Sequence, residues 1–251
     1  MDNVLAGRVA IVTGGAGGIG SRIARAYTAA GARVVIASRS QDKLDRLAAE
    51  LSASGPGSLA VATDVTVPED VSNLFDRTVD AFGKLDILVN NAGGAMFVKQ
   101  PLDLLPEEWA AAIALNLTSV FLCSQAAAKV MIERGGGRII NISSVAGIRM
   151  SPGFVHYGAA KAGVINLTKS LASCWGPHDI NVNCIAPGLT ATEGVADWLP
   201  PRTRKDGSPV PNLQFPPDPE HVADLAVFLA SDGSARISGE LFPIRALTEL
   251  A

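Results

Sequence analysis

Cysteine is scarce in this chain: Cys123, Cys174 and Cys184 are the whole complement, odd in number and without C-x-x-C spacing. Such a set gives neither a disulfide framework nor a zinc-ligand pattern, and no metal site is expected. Basic clusters are also missing. The formal charge is -3 at pH 7 with no block of Lys and Arg, which argues against a surface for polyanions, so nucleic acid is not an expected partner. Uninterrupted apolar runs are strand-sized, well short of the ~20 residues that cross a bilayer. Met1-Asp2-Asn3 carries no basic n-region of a signal peptide. Neither a membrane nor export is expected, which leaves the cytoplasm as the default setting. His156, His178 and His221 have no partners at matching spacings and receive no chemistry.

What is present is apolar material, 48% of 251 residues, enough for the core of one large α/β domain. Short β-branched runs alternate with helical patterns along the whole length. The fold expected is a single-domain Rossmann-type, doubly wound parallel sheet of about seven strands with helices on both faces, spanning 1–251. Ligands of such sheets lie at the carboxyl ends of the strands.

The stretch from Asn141 to Leu171 carries the strongest chemical signal. Ser144 follows the apolar run 138–142, and Tyr157 and Lys161 stand four apart, one turn apart on one face of a helix. A free phenol titrates near 10, so holding it ionised at neutral pH costs roughly 4 kcal/mol. A neighbouring ammonium favours the ionised form and supplies much of that. Such a pair also occurs by chance, so the remainder of the chain has to be weighed with it.

Near the start, RVAIVT runs into the glycine-rich TGGAGGIG of 13–20 and then a helix. Glycines there let the backbone approach a pyrophosphate, and the helix N-terminus offers it unpaired N–H groups; a turn serving packing alone is the alternative. At the end of the second β-run stand Ser38 and Arg39. In a dinucleotide fold an acid here bonds the ribose hydroxyls, whereas an arginine attracts a 2′-phosphate. Arg39 therefore favours NADP(H), with NAD(H) possible, although it reads equally as a solvated charge and no basic residue at Ala16 or Gly17 reinforces it. Between about 189 and 219 lie Pro200, Pro201, Pro209, Pro211, Pro216, Pro217 and Pro219, a long irregular loop of the kind that covers substrates. Its Arg202, Arg204 and Lys205 suit a substrate anion or a solvated surface.

TGGAGGIG at 13–20, NNAG at 90–93, Asn116, Ser144, the Tyr157–Lys161 pair and Pro187-Gly188 together resemble the short-chain dehydrogenase/reductase family, in order and at the usual separations from about residue 7 to 242. The resemblance implies a catalytic set of Asn116, Ser144, Tyr157 and Lys161. It implies cofactor contacts from Gly14, Gly18, Ile19 and Gly20 at the pyrophosphate, Ser38 and Arg39 at the ribose, Asp64 and Val65 at the adenine, and Asn91, Ala92 and Gly93 near the adenosine ribose. Tyr157 and Lys161 also meet the nicotinamide ribose, and Pro187, Gly188 and Thr192 the nicotinamide. Asp64 reads alternatively as a turn residue. In relatives the residue matching Asn116 kinks its helix; a purely structural amide is the alternative. Relatives pair the apolar helices corresponding to about 107–134 and 164–175 across subunits, so a homotetramer or homodimer is expected. The chain departs from the family at its end, FPIRALTEL in place of a Val-Asp-Gly-Gly ending, which leaves assembly and pocket shape open.

The activity implied is hydride transfer between NADP(H) and a carbonyl or secondary alcohol, with Tyr157 as general acid/base and Ser144, thirteen residues before it, bonding the substrate oxygen. Ser143 is the adjacent alternative hydroxyl. Met96, Phe97, Val98, Met150, Phe154 and Trp198 suggest a small-molecule substrate with an apolar portion, or simply core packing. An enoyl-thioester reductase and a non-catalytic dinucleotide-binding interaction protein are the competing readings. The spacing of four disfavours the first, and the intact Ser-Tyr-Lys-Asn set disfavours the second.

Overall fold

The β-branched runs of the sequence are buried on both sides, which is what a parallel sheet sandwiched between helices requires. A computed structural model describes residues 3–247. Its strands are β1 (Val9–Thr13), β2 (Arg33–Ser38), β3 (Ser58–Ala62), β4 (Ile87–Asn90), β5 (Gly137–Ile142), β6 (Ile180–Pro187) and β7 (Leu241–Ile244). They form one sheet in the order β3-β2-β1-β4-β5-β6-β7, and every neighbouring pair is parallel. The helices are α1 (Gly18–Ala29), α2 (Gln41–Ser54), α3 (Pro68–Phe82), α4 (Pro106–Ile113), α5 (Ser119–Glu133), α6 (Val155–Trp175) and α7 (Pro219–Ala230).

Successive strand residues point to opposite faces, and each face has its own core. Val12, Val34 and Ile36 pack under α1, α2 and α7 with Ile23, Tyr27, Leu44 and Val222. Ile11, Val35, Leu88 and Ile139 pack under α3, α5 and α6 with Leu74, Phe75, Met131 and Leu171. The chain leaves β1 towards β2 and β3 on one side and returns at β4 on the other. The carboxyl ends of β1 and β4 therefore diverge and open a crevice.

Two boundaries differ from the sequence reading. Helix α1 starts at Gly18 rather than Ser21, because the glycines that read as a turn also serve as its first turn. A Cβ on Gly20 would lie 2.3 Å from the Gly14 carbonyl oxygen, so only glycine passes there. The single helix expected over 107–134 is α4, a π-helical turn over Ala114–Thr118, and α5.

The combined run Pro106–Glu133 is also apolar enough, with mean hydropathy 1.5 over 18 residues, to cross a membrane by length and composition. Uninterrupted apolar runs do not reveal this, because Asn116 and Gln125 interrupt them. Packing accounts for part of that character: Cys123, Ala127 and Met131 lie in the core. Trp109, Phe121 and Ile132 remain exposed on the outer side.

Tyr27 is the largest fully buried side chain, and its hydroxyl donates to the Ala226 carbonyl of α7 at 3.0 Å. Burial drives its pKa far above the ordinary phenol value. Tyr27→Phe is expected to cost about 1 kcal/mol and Tyr27→Ala about 3–5 kcal/mol, measured by urea unfolding. Equal costs for the two variants would show that the ring contributes nothing beyond its hydroxyl.

Candidate active site

Two turns at the diverging strand ends are tied together by side chains. The Thr13 hydroxyl donates to Val89 O (3.2 Å) and accepts from the backbone N–H groups of Asn91 (3.0 Å) and Ala92 (3.1 Å). Asn91 Nδ2 donates in turn to the carbonyls of Thr13 (3.0 Å) and Gly14 (3.2 Å). Gly14 has φ +63°, and a Cβ there would meet Asn91 Nδ2 at 2.8 Å. Beyond this tie the turn is open: a Cβ on Gly17 would meet nothing within 4 Å, and no side chain caps α1. An uncapped helix start behind a glycine turn fits a pyrophosphate.

The crevice over these turns has a volume of about 700 Å³. Its walls bring together Gly14, Gly18, Ile19, Asn91, Ala92 and Gly93 from the first and fourth strand ends, Ser144, Tyr157 and Lys161 from the fifth strand end and α6, and Pro187, Gly188 and Thr192 after β6. Residues more than a hundred positions apart thus share one cavity. Gly20 and Asn116 stand behind its wall, and Ser38, Arg39, Asp64 and Val65 lie beyond it, at or just after the ends of β2 and β3.

Because α6 begins at Val155, Tyr157 sits in its first turn with Lys161 one turn on. Ser144 enters a short 3-10 turn, where its Oγ accepts from Ala146 N–H at 3.1 Å. Ser143 turns away and donates to Lys161 O at 2.7 Å, leaving Ser144 as the hydroxyl beside the phenol. Burial raises the Tyr157 pKa above the ordinary phenol value, and a hydrogen bond with Ser144 opposes the rise. Lys161 is 3% exposed, donates to Ile142 O at 2.9 Å, and has Nζ 5.6 Å from the Tyr157 ring centre. Burial lowers its pKa to about 8, with the Cys184 thiol acting weakly the other way. Among the chain's own groups, burial therefore makes the phenol harder to ionise than a free one; the Ser144 bond opposes it, and the Lys161 charge, invoked from the spacing, is not among the groups that shift it.

Asn116, fully buried, is bonded on every side: Nδ2 donates to Gly94 O (3.0 Å) and Ala112 O (3.1 Å), and Oδ1 accepts from Gly94 N–H (2.9 Å). It lies within the π-helical turn Ala114–Thr118, the kind of irregularity that often marks functional sites. Gly93 passes between it and the lysine, where a Cβ would lie 2.7 Å from Asn116 Oδ1 and 3.1 Å from Lys161 Nζ.

Other sequence candidates are engaged elsewhere. Asp64 Oδ1 accepts from Thr66 N–H (2.9 Å) and Thr66 Oγ1 (2.7 Å), the turn role named as its alternative, and these bonds hold its pKa below the usual carboxylate value. Arg202 stacks on Phe215 at 4.1 Å, and Arg204 donates to Gln214 at 2.9 Å, so both serve the loop itself.

A feature invisible to motif reading is a second cavity, about 460 Å³, sharing Gly17 and Gly18 with the first and lined by Arg22, Arg25, Lys43 and Arg46 against Glu50 and Glu193. Arg25 forks onto Glu50 (2.6 and 3.0 Å) and Arg22 lies 3.2 Å from Glu220. Among the described residues, Lys43 and Arg46 meet no carboxylate. Helical spacing on α2 places both on the side of the glycine turn, a juxtaposition that single-helix patterns do not carry.

Residues 8–202 match the short chain dehydrogenase family. The chain is 40% identical over 250 residues to a 3-oxoacyl-[acyl-carrier-protein] reductase of Synechocystis sp., covering 96% of each. It is 39% identical to a D-threitol dehydrogenase of Mycolicibacterium smegmatis, covering 95% of this chain and 91% of that one. A crystal structure of a short-chain type dehydrogenase/reductase from Mycobacterium marinum superposes with a TM-score of 0.88 at 35% identity, over 96% of this chain and 95% of that one.

The lysine environment has a measurable consequence. Its folded pKa of about 8 lies below the ordinary lysine value of 10.5, so the folded state binds fewer protons between those values. The penalty is full below about pH 8 and fades as pH rises to 10.5. Lys161→Met is expected to stabilise the protein at pH 7 by up to roughly 3 kcal/mol, with the gap over the parent closing as pH rises through that window. A pH-independent gap would contradict the desolvation argument.

Proposed function

The chain belongs to the short-chain dehydrogenase family and is an oxidoreductase acting on CH–OH groups with a nicotinamide dinucleotide, and from that premise we propose that it transfers hydride between NADP(H) and a carbonyl or secondary-alcohol substrate bearing an apolar group. The observation that carries this reading is the contact of Ser144 with a protonated Tyr157 above a buried Lys161, on the wall of the cavity that the glycine turn closes.

The nicotinamide, when bound, supplies or accepts the hydride. In reduction the Tyr157 phenol gives its proton to the substrate oxygen while the Ser144 hydroxyl donates a hydrogen bond to the same atom, so the developing negative charge meets two donors. In oxidation Tyr157 takes the proton instead, and its raised pKa makes that direction favour higher pH. Lys161, held by Ile142 O, keeps a positive charge under the phenol and within reach of a ribose hydroxyl. Asn116 fixes the Gly93–Gly94 backbone that forms part of the crevice wall.

Preference for NADP(H) is supported by Arg39 just after β2, whose charge also acts on the Asp64 carboxylate, and by Lys43 and Arg46 beside the glycine turn, which meet no carboxylate among the described residues. The crevice wall supports an apolar substrate portion: Phe154, Leu189 and Val195 line it, and Leu189 is exposed. Exposed Trp109, Phe121 and Ile132 on the outer side of α4 and α5 support a second copy of the chain as partner, in a homodimer or homotetramer.

Tyr157→Phe is expected to lower kcat for ketone reduction by roughly two to four orders of magnitude with NADPH binding intact, read by cofactor oxidation and fluorescence titration. In the parent, kcat/KM for reduction falls as pH rises through about 8, where Lys161 loses its charge; a profile flat to pH 10 would contradict the lysine's part. Replacing Arg39, Lys43 and Arg46 by Ala is expected to weaken NADPH binding by at least about tenfold, one charge-assisted bond's worth, while NADH binding stays unchanged. Equal loss for both cofactors would remove the 2′-phosphate assignment.

A further inference from the structure

His156, one residue before Tyr157, is 1% exposed, and the carbonyl of Ala95 lies 2.8 Å from its Nε2. A carbonyl only accepts, so Nε2 carries the hydrogen, and the other ring nitrogen is left without one in the neutral ring. That Nδ1 is buried and meets no hydrogen-bond partner. A leucine or phenylalanine would fill the same space without burying an orphaned acceptor, so the imidazole is retained against a cost that packing alone does not explain.

The same carbonyl takes a second bond. Phe97 N–H donates to Ala95 O at 2.7 Å, closing a three-residue turn around Met96, whose φ is +53°. A turn of this kind with positive φ at a non-glycine residue is rare and strained, and such strain persists only where surrounding contacts hold it. The holding contacts are visible. Asn116 bonds both polar groups of Gly94, His156 bonds the next carbonyl, and the Phe97 ring packs on the imidazole with centroids 5.8 Å apart. Glu108 of α4 is the charged group whose field His156 shares, and its carboxylate is occupied by Lys99 Nζ at 2.6 Å and Leu105 N–H at 3.0 Å.

The clamped segment is part of the site. Ala95 lines the crevice beside Tyr157 and Ser144, and Met96 is exposed next to it. We propose that His156 is a positioning residue for the substrate: by holding the Ala95 carbonyl it keeps the Met96 turn closed and fixes the wall opposite Ser144 at a set distance from the phenol carried by the next residue. The inference rests on the carbonyl-reductase reading for its kinetic consequence, but not for its structural one.

The test uses His156→Leu, which removes the donor, and His156→Gln, which keeps an N–H donor. In His156→Leu the Phe97 amide is expected to exchange at least about tenfold faster with solvent, and KM for a ketone substrate to rise about tenfold, the effect of one lost hydrogen bond, with kcat, NADPH affinity and Tm near the parent's. His156→Gln is expected to recover most of the protection and of the KM. Parent-like Phe97 exchange and KM in His156→Leu would overturn the proposal, as would a joint fall of kcat, NADPH affinity and Tm. If the parent itself reduces no carbonyl, the functional reading fails, and the amide exchange still decides the clamp.

Discussion

An ammonium group held almost dry beneath a phenol is the constraint on which the arrangement depends. Lys161 can stay charged there because Ile142 O accepts from it and because the surrounding backbone is fixed close to it. That fixation requires β5 to end where it does, Gly93 to lack a side chain, and α6 to begin two residues before Tyr157. A loosely placed lysine would be a solvated surface charge with an ordinary pKa and no leverage on a neighbouring phenol.

The sheet order supplies the geometry for this. Parallel strands present all their carboxyl ends on one edge, and the reversal between β1 and β4 opens that edge. The Thr13–Asn91 tie then sets the two lips of the opening at a fixed separation, with the glycine turn on one lip and Gly93 on the other. A cofactor fitting that separation would carry its reactive ring towards Tyr157 and Ser144.

The fold was legible because burial on both faces gives uninterrupted β-branched runs, and because helical segments separate every pair of successive strands. Ser144, Tyr157 and Lys161 were legible because a strand end and a helical turn impose fixed spacings. Contacts that depend on distant segments were not. The π-helical turn carries Asn116, whose bonds reach Gly94, twenty-two residues earlier. The cations of α1 and α2 face each other only once β2 has returned beside β1. His156 has no partner in its own neighbourhood of sequence, and its bond to Ala95 spans sixty-one residues. Asp64, read for its place after a strand, also makes the local turn named as its alternative, through two bonds that Thr66 supplies.

The central claim is that this cavity moves hydride to a carbonyl carbon while Tyr157 protonates the oxygen. The most direct measurement is mass spectrometry of products from a panel of ketones and β-ketoacyl thioesters incubated with NADPH deuterated at the nicotinamide C4. The account predicts one deuterium on the carbinol carbon of at least one product, absent with Tyr157→Phe. Cofactor that binds tightly yet passes no label to any carbonyl, or label transfer that survives in Tyr157→Phe at the parent's rate, would contradict it.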